Sequence, residues 1–236
     1  MCLEPLAELS RVPVCAHCLH SIEPMAAEYA CSACQTPFLS PHPLDERGRC
    51  SLCRLGLPGY EGAYSYGFYD GSLRRLIHLF KFERIPSLAV PLGAYMVKAL
   101  PLDRRFDVIV PMPLHWYRRW RRGFNQAELL AQAVAHRTGL PLAKRTLQRK
   151  RHAAPQSGLS SAARRRNVAG LFSIADRAPI AGRRILLVDD VLTTGATAQA
   201  AARALKSAGA AQVVLLTLAR ADRREFVSVD HAVGSR

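Results

Sequence analysis

The sequence predicts an α/β protein in which a parallel sheet flanked by helices follows a small cysteine-rich module. Three observations carry that expectation. Ile185–Val188 and Val213–Leu218 are short, unbroken apolar runs suited to strands buried on both faces. The Ala-rich stretch between them, Ala198–Ala208, closes on Gly209, so the three pieces read as one strand–helix–strand unit. Asp107–Pro111 reads as another buried strand, and Asn125–Thr138 as an amphipathic helix stopped by Gly139. All seven cysteines fall at or before Cys53, upstream of both patterns.

Composition fits this picture. The chain has 236 residues, 49% hydrophobic and 22% charged, with 15 Gly and 15 Pro, which excludes collagen, low-complexity disorder and a coiled coil. The length suits one main domain with an appendage, divided as a Cys-rich module over 1–58, a main domain over 59–222 and a tail over 223–236. No apolar run approaches the roughly 18 residues of a membrane-spanning helix. Met1-Cys2-Leu3-Glu4-Pro5 has neither a basic start nor a long apolar stretch, so it does not read as a secretory signal. A soluble, cytoplasmic protein is expected.

The formal charge of +15 is unevenly placed. Between His115 and Arg166 stand eleven Arg and two Lys against one acid, Glu128, so this stretch carries +12 of the total. Arginine offers a planar fork suited to bidentate phosphate contacts. A GC-rich genome also raises the Arg share, but it does not explain the clustering. Such a patch suits a nucleic acid, a phosphorylated metabolite or an acidic protein.

Six cysteines form three Cys-x-x-Cys pairs, Cys15/Cys18, Cys31/Cys34 and Cys50/Cys53. Each pair offers two thiolates from one tight turn, and two such knuckles build the tetrahedral sulfur cage that zinc prefers. A chain expected in the cytoplasm argues against structural disulfides. The compact choice is Cys15, Cys18, Cys31 and Cys34. Cys50 and Cys53 stand as further ligands, with Cys2, His17, His20 and His42 nearby but unassigned. A module this small relies on metal ligation for folding energy, and an all-cysteine cage leaves no open position for catalysis.

The string Asp189-Asp190-Val191-Leu192-Thr193-Thr194-Gly195-Ala196-Thr197 joins the strand to the Ala-rich helix. A turn there lies at the carboxyl end of a parallel strand, where open α/β sheets bind ligands. Free N–H groups and the positive dipole end at the helix start attract phosphate. Gly195 permits close backbone approach, and Thr193, Thr194 and Thr197 add hydroxyl donors. Asp189 and Asp190 can accept hydrogen bonds from ribose hydroxyls or help hold Mg2+. The glycine fingerprints of dinucleotide-binding folds and P-loop NTPases are absent.

That string resembles the phosphoribosyl pyrophosphate signature of type I phosphoribosyltransferases. The resemblance implies that Asp189 and Asp190 bind the ribose hydroxyls and that Thr193, Thr194, Gly195, Ala196 and Thr197 bind the 5′-phosphate, within a type I phosphoribosyltransferase-like sheet. Arg122-Gly123-Phe124-Asn125-Gln126, Gln156, the Arg164-x-x-Asn167-Val168 pattern and the upstream cysteine pairs are similar to the ComF family. Tyr69–Phe82, with Lys81 near its end, is similar to the stretch that opens the transferase domain in that family. Family members often carry a further Cys-x-x-Cys pair at the start, where this chain has only Cys2. Lys81, Arg118 and Arg122 are the candidate cations for the pyrophosphate. Trp116, Tyr117 and Trp120, interleaved with Arg, read either as stacking surfaces for single-stranded bases or as core.

The resemblance implies a protein that binds phosphoribosyl pyrophosphate with Mg2+ and acts in DNA uptake, contacting single-stranded DNA and proteins of the uptake machinery. Two alternatives stand beside it: an active salvage phosphoribosyltransferase, and a non-catalytic zinc-containing nucleic-acid-binding scaffold.

Overall fold

A strand whose residues are apolar without alternation has no face to give to water, so it must lie inside a sheet covered on both sides. The computed structural model, which describes residues 12–38, 40–56, 59–114, 116–150 and 170–221, has that form. In chain order its elements are α1 (Ala16–His20), β1 (Tyr29–Ala30), β2 (Pro37–Phe38), α2 (Ser51–Arg54), β3 (Gly62–Phe68), α3 (Gly71–Phe82), a 3-10 turn (Pro86–Leu88), α4 (Ala89–Lys98), β4 (Val108–Pro111), α5 (Trp116–Arg122), α6 (Gln126–Thr138), β5 (Leu147–Arg149), β6 (Phe172–Ile174), β7 (Arg184–Leu192), α7 (Ala196–Ser207) and β8 (Gln212–Arg220).

Four parallel strands form the sheet in the order β3-β8-β7-β4. Alternate residues of each strand point to opposite faces. Leu186, Val188, Val214 and Leu216 pack with α3, α4 and α6 through Leu76, Phe80, Leu92, Met96, Leu130 and Val134. Ile185, Leu187, Val213 and Leu215 pack with α7 through Ala198, Ala201, Ala202 and Leu205. The small side chains of α7 let that helix lie close to the sheet.

Two local devices fix the edges. Asp107, just before β4, takes the Arg184 side chain through Nε at 3.0 Å and Nη2 at 2.7 Å, and the Arg184 N–H at 2.8 Å, which locks β4 to the start of β7. The Arg184 guanidinium holds the Asp107 carboxyl well below the usual carboxylate range. Asn125 caps α6: its side chain accepts from Ala127 N–H at 3.2 Å and donates to the Met112 carbonyl at 3.0 Å, tying the helix start to the exit of β4. Gly139 ends the helix with a φ of 72°.

The expected strands and helices appear at these places, with two differences. The connection after β4 holds a two-turn helix, α5, where no element was expected from the sequence. The strand β7 continues through Leu192, past the two acids expected in a turn, because Asp189 pairs with Thr217 and Val191 with Ala219 across the ladder to β8. The segment around the first cysteine pair packs into the main core: Val14, Cys18 and Ile22 join the α3/α4 cluster, and Tyr95 Oη donates to the Leu19 carbonyl at 2.7 Å.

Helices α4 and α6 pack closely, and a Cβ on Gly93 would stand 2.5 Å from the Ala133 Cβ. Gly93→Ala should therefore cost about 1–3 kcal/mol by overpacking. Adding Ala133→Gly should recover much of that loss. Urea unfolding of the single and double variants checks it, and a neutral Gly93→Ala would contradict the packing described.

Candidate functional site

The carboxyl ends of β4, β7 and β8 open into a cavity of about 190 Å3. The loop after β7 forms one wall. Gly195 adopts a φ of 78° at the start of α7, and a Cβ there would meet Tyr60 Oη at 3.4 Å, so glycine lets the loop turn in a confined space. The first turn of α7 carries no acid, which leaves the positive end of the helix unopposed. Thr193, Thr194, Gly195 and Thr197 line the cavity, with Ala196 N–H turned toward Thr194 Oγ1 at 3.4 Å.

The floor is acidic. Asp189 and Asp190 line the cavity at the end of β7, and Asp189 Oδ1 accepts from Asp190 N–H at 2.8 Å. Burial, followed by the charge of Asp190, pushes the Asp189 carboxyl up to about 7. Lys81, in the last turn of α3, donates to Asp190 Oδ1 at 2.7 Å. Beneath the floor, Ser65 and Thr217 share a 2.6 Å hydrogen bond between buried hydroxyls.

Cations and amides face the loop. Arg122 Nη1 donates to Gln126 Oε1 at 3.1 Å, and its guanidinium lies 5.0 Å from the centre of the Phe82 ring. Gln126 is 1% exposed and lines the cavity, and its Nε2 has no partner among the described residues, which marks it as a donor available to a ligand. Arg149, at the end of β5, lines the same space and adds a positive charge near Asp189. A cavity with a helix start and hydroxyls at one wall, carboxylates on the floor and cations opposite can take a doubly anionic ligand together with a hard divalent cation.

The expected site residues Asp189, Asp190, Thr193, Thr194, Gly195, Thr197, Lys81 and Arg122 therefore meet at one cavity. Lys81 is engaged with an acid of the floor, which the sequence did not suggest. The side chain of Arg118 lies outside the described residues, as do Gln156, the run Arg164–Val168, Cys2 and the tail. Arg149 and Gln126 were missed as site residues. Arg149 stood in a basic run with nothing to single it out, whereas Gln126 belonged to the quoted Arg-Gly-Phe-Asn-Gln string and was given no role.

The cysteines require a correction. The four sulfurs that converge belong to Cys31, Cys34, Cys50 and Cys53, all within 4.8 Å of one another. Cys15 and Cys18 are not among them, because α1 docks by its apolar side on the main core, where Cys18 is buried and Cys15 packs at the edge. In the cage Cys34 and Cys50 stand 3.8 Å apart, and tetrahedral ligation with Zn–S bonds of about 2.3 Å places sulfurs about 3.8 Å from each other. Cys31 Sγ accepts N–H bonds from Cys34 at 3.5 Å and Cys50 at 3.3 Å. Cys34 titrates low, held there by hydrogen bonds from Cys50 and Thr36, while Cys50 is pushed up by sharing that proton and burial raises Cys53 to about 12. The donor set fits one thiophilic divalent cation.

A parallel sheet with this hydroxyl-rich loop beyond a paired-acid strand defines a phosphoribosyltransferase-type domain, and the phosphoribosyl transferase domain family matches residues 121–236. Relatives extend the likeness over most of the chain. The DNA utilization protein YhgH of Salmonella typhimurium is 34% identical over 226 residues, 93% of this chain and 95% of that protein. Competence protein F of Haemophilus influenzae is 31% identical over 88% of this chain and 96% of its own length. Competence protein ComFC of Bacillus subtilis is 32% identical over 64% of this chain and 61% of its length. The chain belongs to the ComF family.

Elemental analysis of purified variants checks the cage. Cys50→Ser and Cys53→Ser should lose most of the bound metal, whereas Cys15→Ser should keep it at the wild-type ratio. Metal loss in Cys15→Ser alone would restore the pairing first expected from the sequence.

Proposed function

We propose that the chain binds phosphoribosyl pyrophosphate with Mg2+ in the cavity at the end of β7, and that it acts in DNA uptake while contacting single-stranded DNA. The single observation that carries the ligand is the opposition of the Thr193–Thr197 loop to Lys81, Arg122 and Arg149 across the acidic floor of Asp189 and Asp190. The 5′-phosphate meets the start of α7, the ribose hydroxyls and Mg2+ meet the carboxylates, and the pyrophosphate meets the cations. Asp189 and Asp190 would hold the Mg2+, and Lys81, now bonded to Asp190, would then be available to the pyrophosphate. The cysteine cage holds structural zinc. The role in DNA uptake rests on the relatives named for competence and DNA utilization.

A second cavity supports the nucleic-acid contact. It measures about 550 Å3, and Lys81, Phe82, Arg84, Tyr117, Arg121 and Arg122 line it, so Lys81 and Arg122 belong to both cavities. Phe82 is 52% exposed, Tyr117 50% and Trp120 79%, which places these rings outside the core. Arg84 Nη2 donates to the Arg121 carbonyl at 2.7 Å and holds α5 against the end of α3. Exposed rings among arginines suit stacked bases with a tracked phosphate backbone.

Calorimetry tests the small ligand. Asp189→Asn should weaken binding of phosphoribosyl pyrophosphate with Mg2+ by at least about tenfold, since a carboxylate bonded to hydroxyls or metal is lost. Because burial pushes the Asp189 carboxyl up to about 7 and the ligand favours its bare carboxylate, binding near neutral pH should release protons and tighten as pH rises through that range. Equal heats in buffers of different ionisation enthalpy, or full binding by the variant, would sink the assignment.

For the strand, fluorescence titration with oligo-dT over a salt series is decisive. Trp120→Ala should weaken binding by about fivefold or more with the salt slope unchanged, whereas Arg121→Ala should lower the slope by about 0.7. A salt-independent wild-type affinity would remove DNA from this surface.

A further inference from the structure

Arg220 is the last residue of β8 and pairs across the ladder with Leu192, the residue before the phosphate loop. It is 5% exposed, and its Nη1 donates to Thr36 Oγ1 at 3.1 Å. Thr36 Oγ1 in turn lies 2.9 Å from Cys34 Sγ. A guanidinium only donates and a metal-held thiolate only accepts, so the single hydroxyl proton of Thr36 must point to the sulfur. The order runs from guanidinium to hydroxyl to thiolate, each bond polarising the next.

The same residues border the phosphate loop. A cavity of about 200 Å3 is lined by Cys34, Cys50 and Arg220 together with Thr193, Thr194 and Gly195. A divalent cation held by four thiolates carries a formal double negative charge. Beside a loop that attracts anions through its N–H groups, that charge opposes binding. Arg220, buried where the two meet, supplies the opposite charge.

We propose that Thr36 and Arg220 are positioning residues that hold Cys34 as a metal ligand and shield the phosphate loop from the charge of the loaded cage, so that metal and anion sites are coupled through Arg220. The proposal rests on the reading of the cage as a metal site and, for its second half, of the loop as a phosphate site. The cage then borders the far side of the phosphate loop and acts on it electrostatically.

Zinc affinity is read on the full-length protein by competition with a chromophoric chelator, and phosphoribosyl pyrophosphate with Mg2+ by calorimetry at saturating zinc. Thr36→Val keeps the shape and loses the hydroxyl, and should lower zinc affinity about 10- to 100-fold. Thr36→Ser keeps the hydroxyl and should stay within about twofold of wild type. Arg220→Met should weaken the phosphoribosyl ligand by about fivefold or more at full zinc loading, and Arg220→Lys should recover most of that loss by restoring the charge.

Wild-type zinc affinity in Thr36→Val overturns the hydroxyl relay. Unchanged ligand affinity in folded, zinc-saturated Arg220→Met overturns the shielding. Should Arg220→Met fail to fold, Arg220→Gln and the Thr36 pair decide the same points. A wild-type protein that holds zinc but ignores phosphoribosyl pyrophosphate overturns the ligand assignment and the shielding with it, while the Thr36 pair still reads the relay.

Discussion

The parallel ladder between β7 and β8 is the constraint on which the rest of the site depends. It runs from Arg184 opposite Gln212 to Leu192 opposite Arg220 without a break in direction. A strand alternates its faces residue by residue, so a slip of one position would turn Asp189 into the core and an apolar neighbour into the cavity. The fully buried Leu186, Val188, Val214 and Leu216 on one face, and Ile185, Leu187, Val213 and Leu215 on the other, make such a slip costly. All eight would exchange one apolar layer for the other, so the cost lies in repacking both layers and in carrying a carboxylate among apolar side chains. The apolar middle of the ladder therefore sets where its polar end stands.

From that end the site is assembled by neighbours distant in sequence. The floor comes from β7, its counter-ion from Lys81 on α3, and the facing guanidiniums from Arg122 and Arg149. What the sequence made legible was the part formed within one short segment. Asp189 to Thr197 contains the strand end, the turn and the helix start, so its residue types alone imply an anion cradle. Lys81 and Asp190 are 109 positions apart, and no local pattern signals that the lysine neutralises that acid. Arg149 owes its place to the antiparallel pairing of β5 with β6, which brings it opposite Phe172. Before pairing is known it is one arginine among many.

The cysteines fail in the same way for a different reason. Three Cys-x-x-Cys pairs are alike as local motifs, since each gives two sulfurs from one turn. The choice among them is made by what surrounds each pair. Val14, Cys18 and Ile22 put an apolar stripe on the first turn and its flanks, and that stripe is absorbed by Tyr66, Leu73 and Tyr95 of the main core. The second and third pairs lack such a stripe, and the Leu44–Cys50 bridge folds the third back on the second. Propensity misled at β7 too. Two adjacent aspartates favour a turn, but pairing with β8 that runs from Arg184 to Asp189 and resumes at Val191 and Leu192 outweighs that preference and keeps both acids in the strand.

The basic surplus of the sequence acquires a physical meaning from this geometry. Within the cavity Asp190 is paired with Lys81, and burial together with the charge of Asp190 raises the Asp189 carboxyl. A diphosphate engages few cations, because each guanidinium or ammonium needs its own oxygens. Lys81, Arg122 and Arg149 already suffice for that demand. Arg84 and Arg121 lie beyond it, beside exposed Phe82 and Tyr117, in a second cavity that shares Lys81 and Arg122 with the first. In the function proposed above, these cations set among rings open to water serve the nucleic-acid strand. Because the two cavities share Lys81 and Arg122, whichever anion takes those groups alters the field felt by the other.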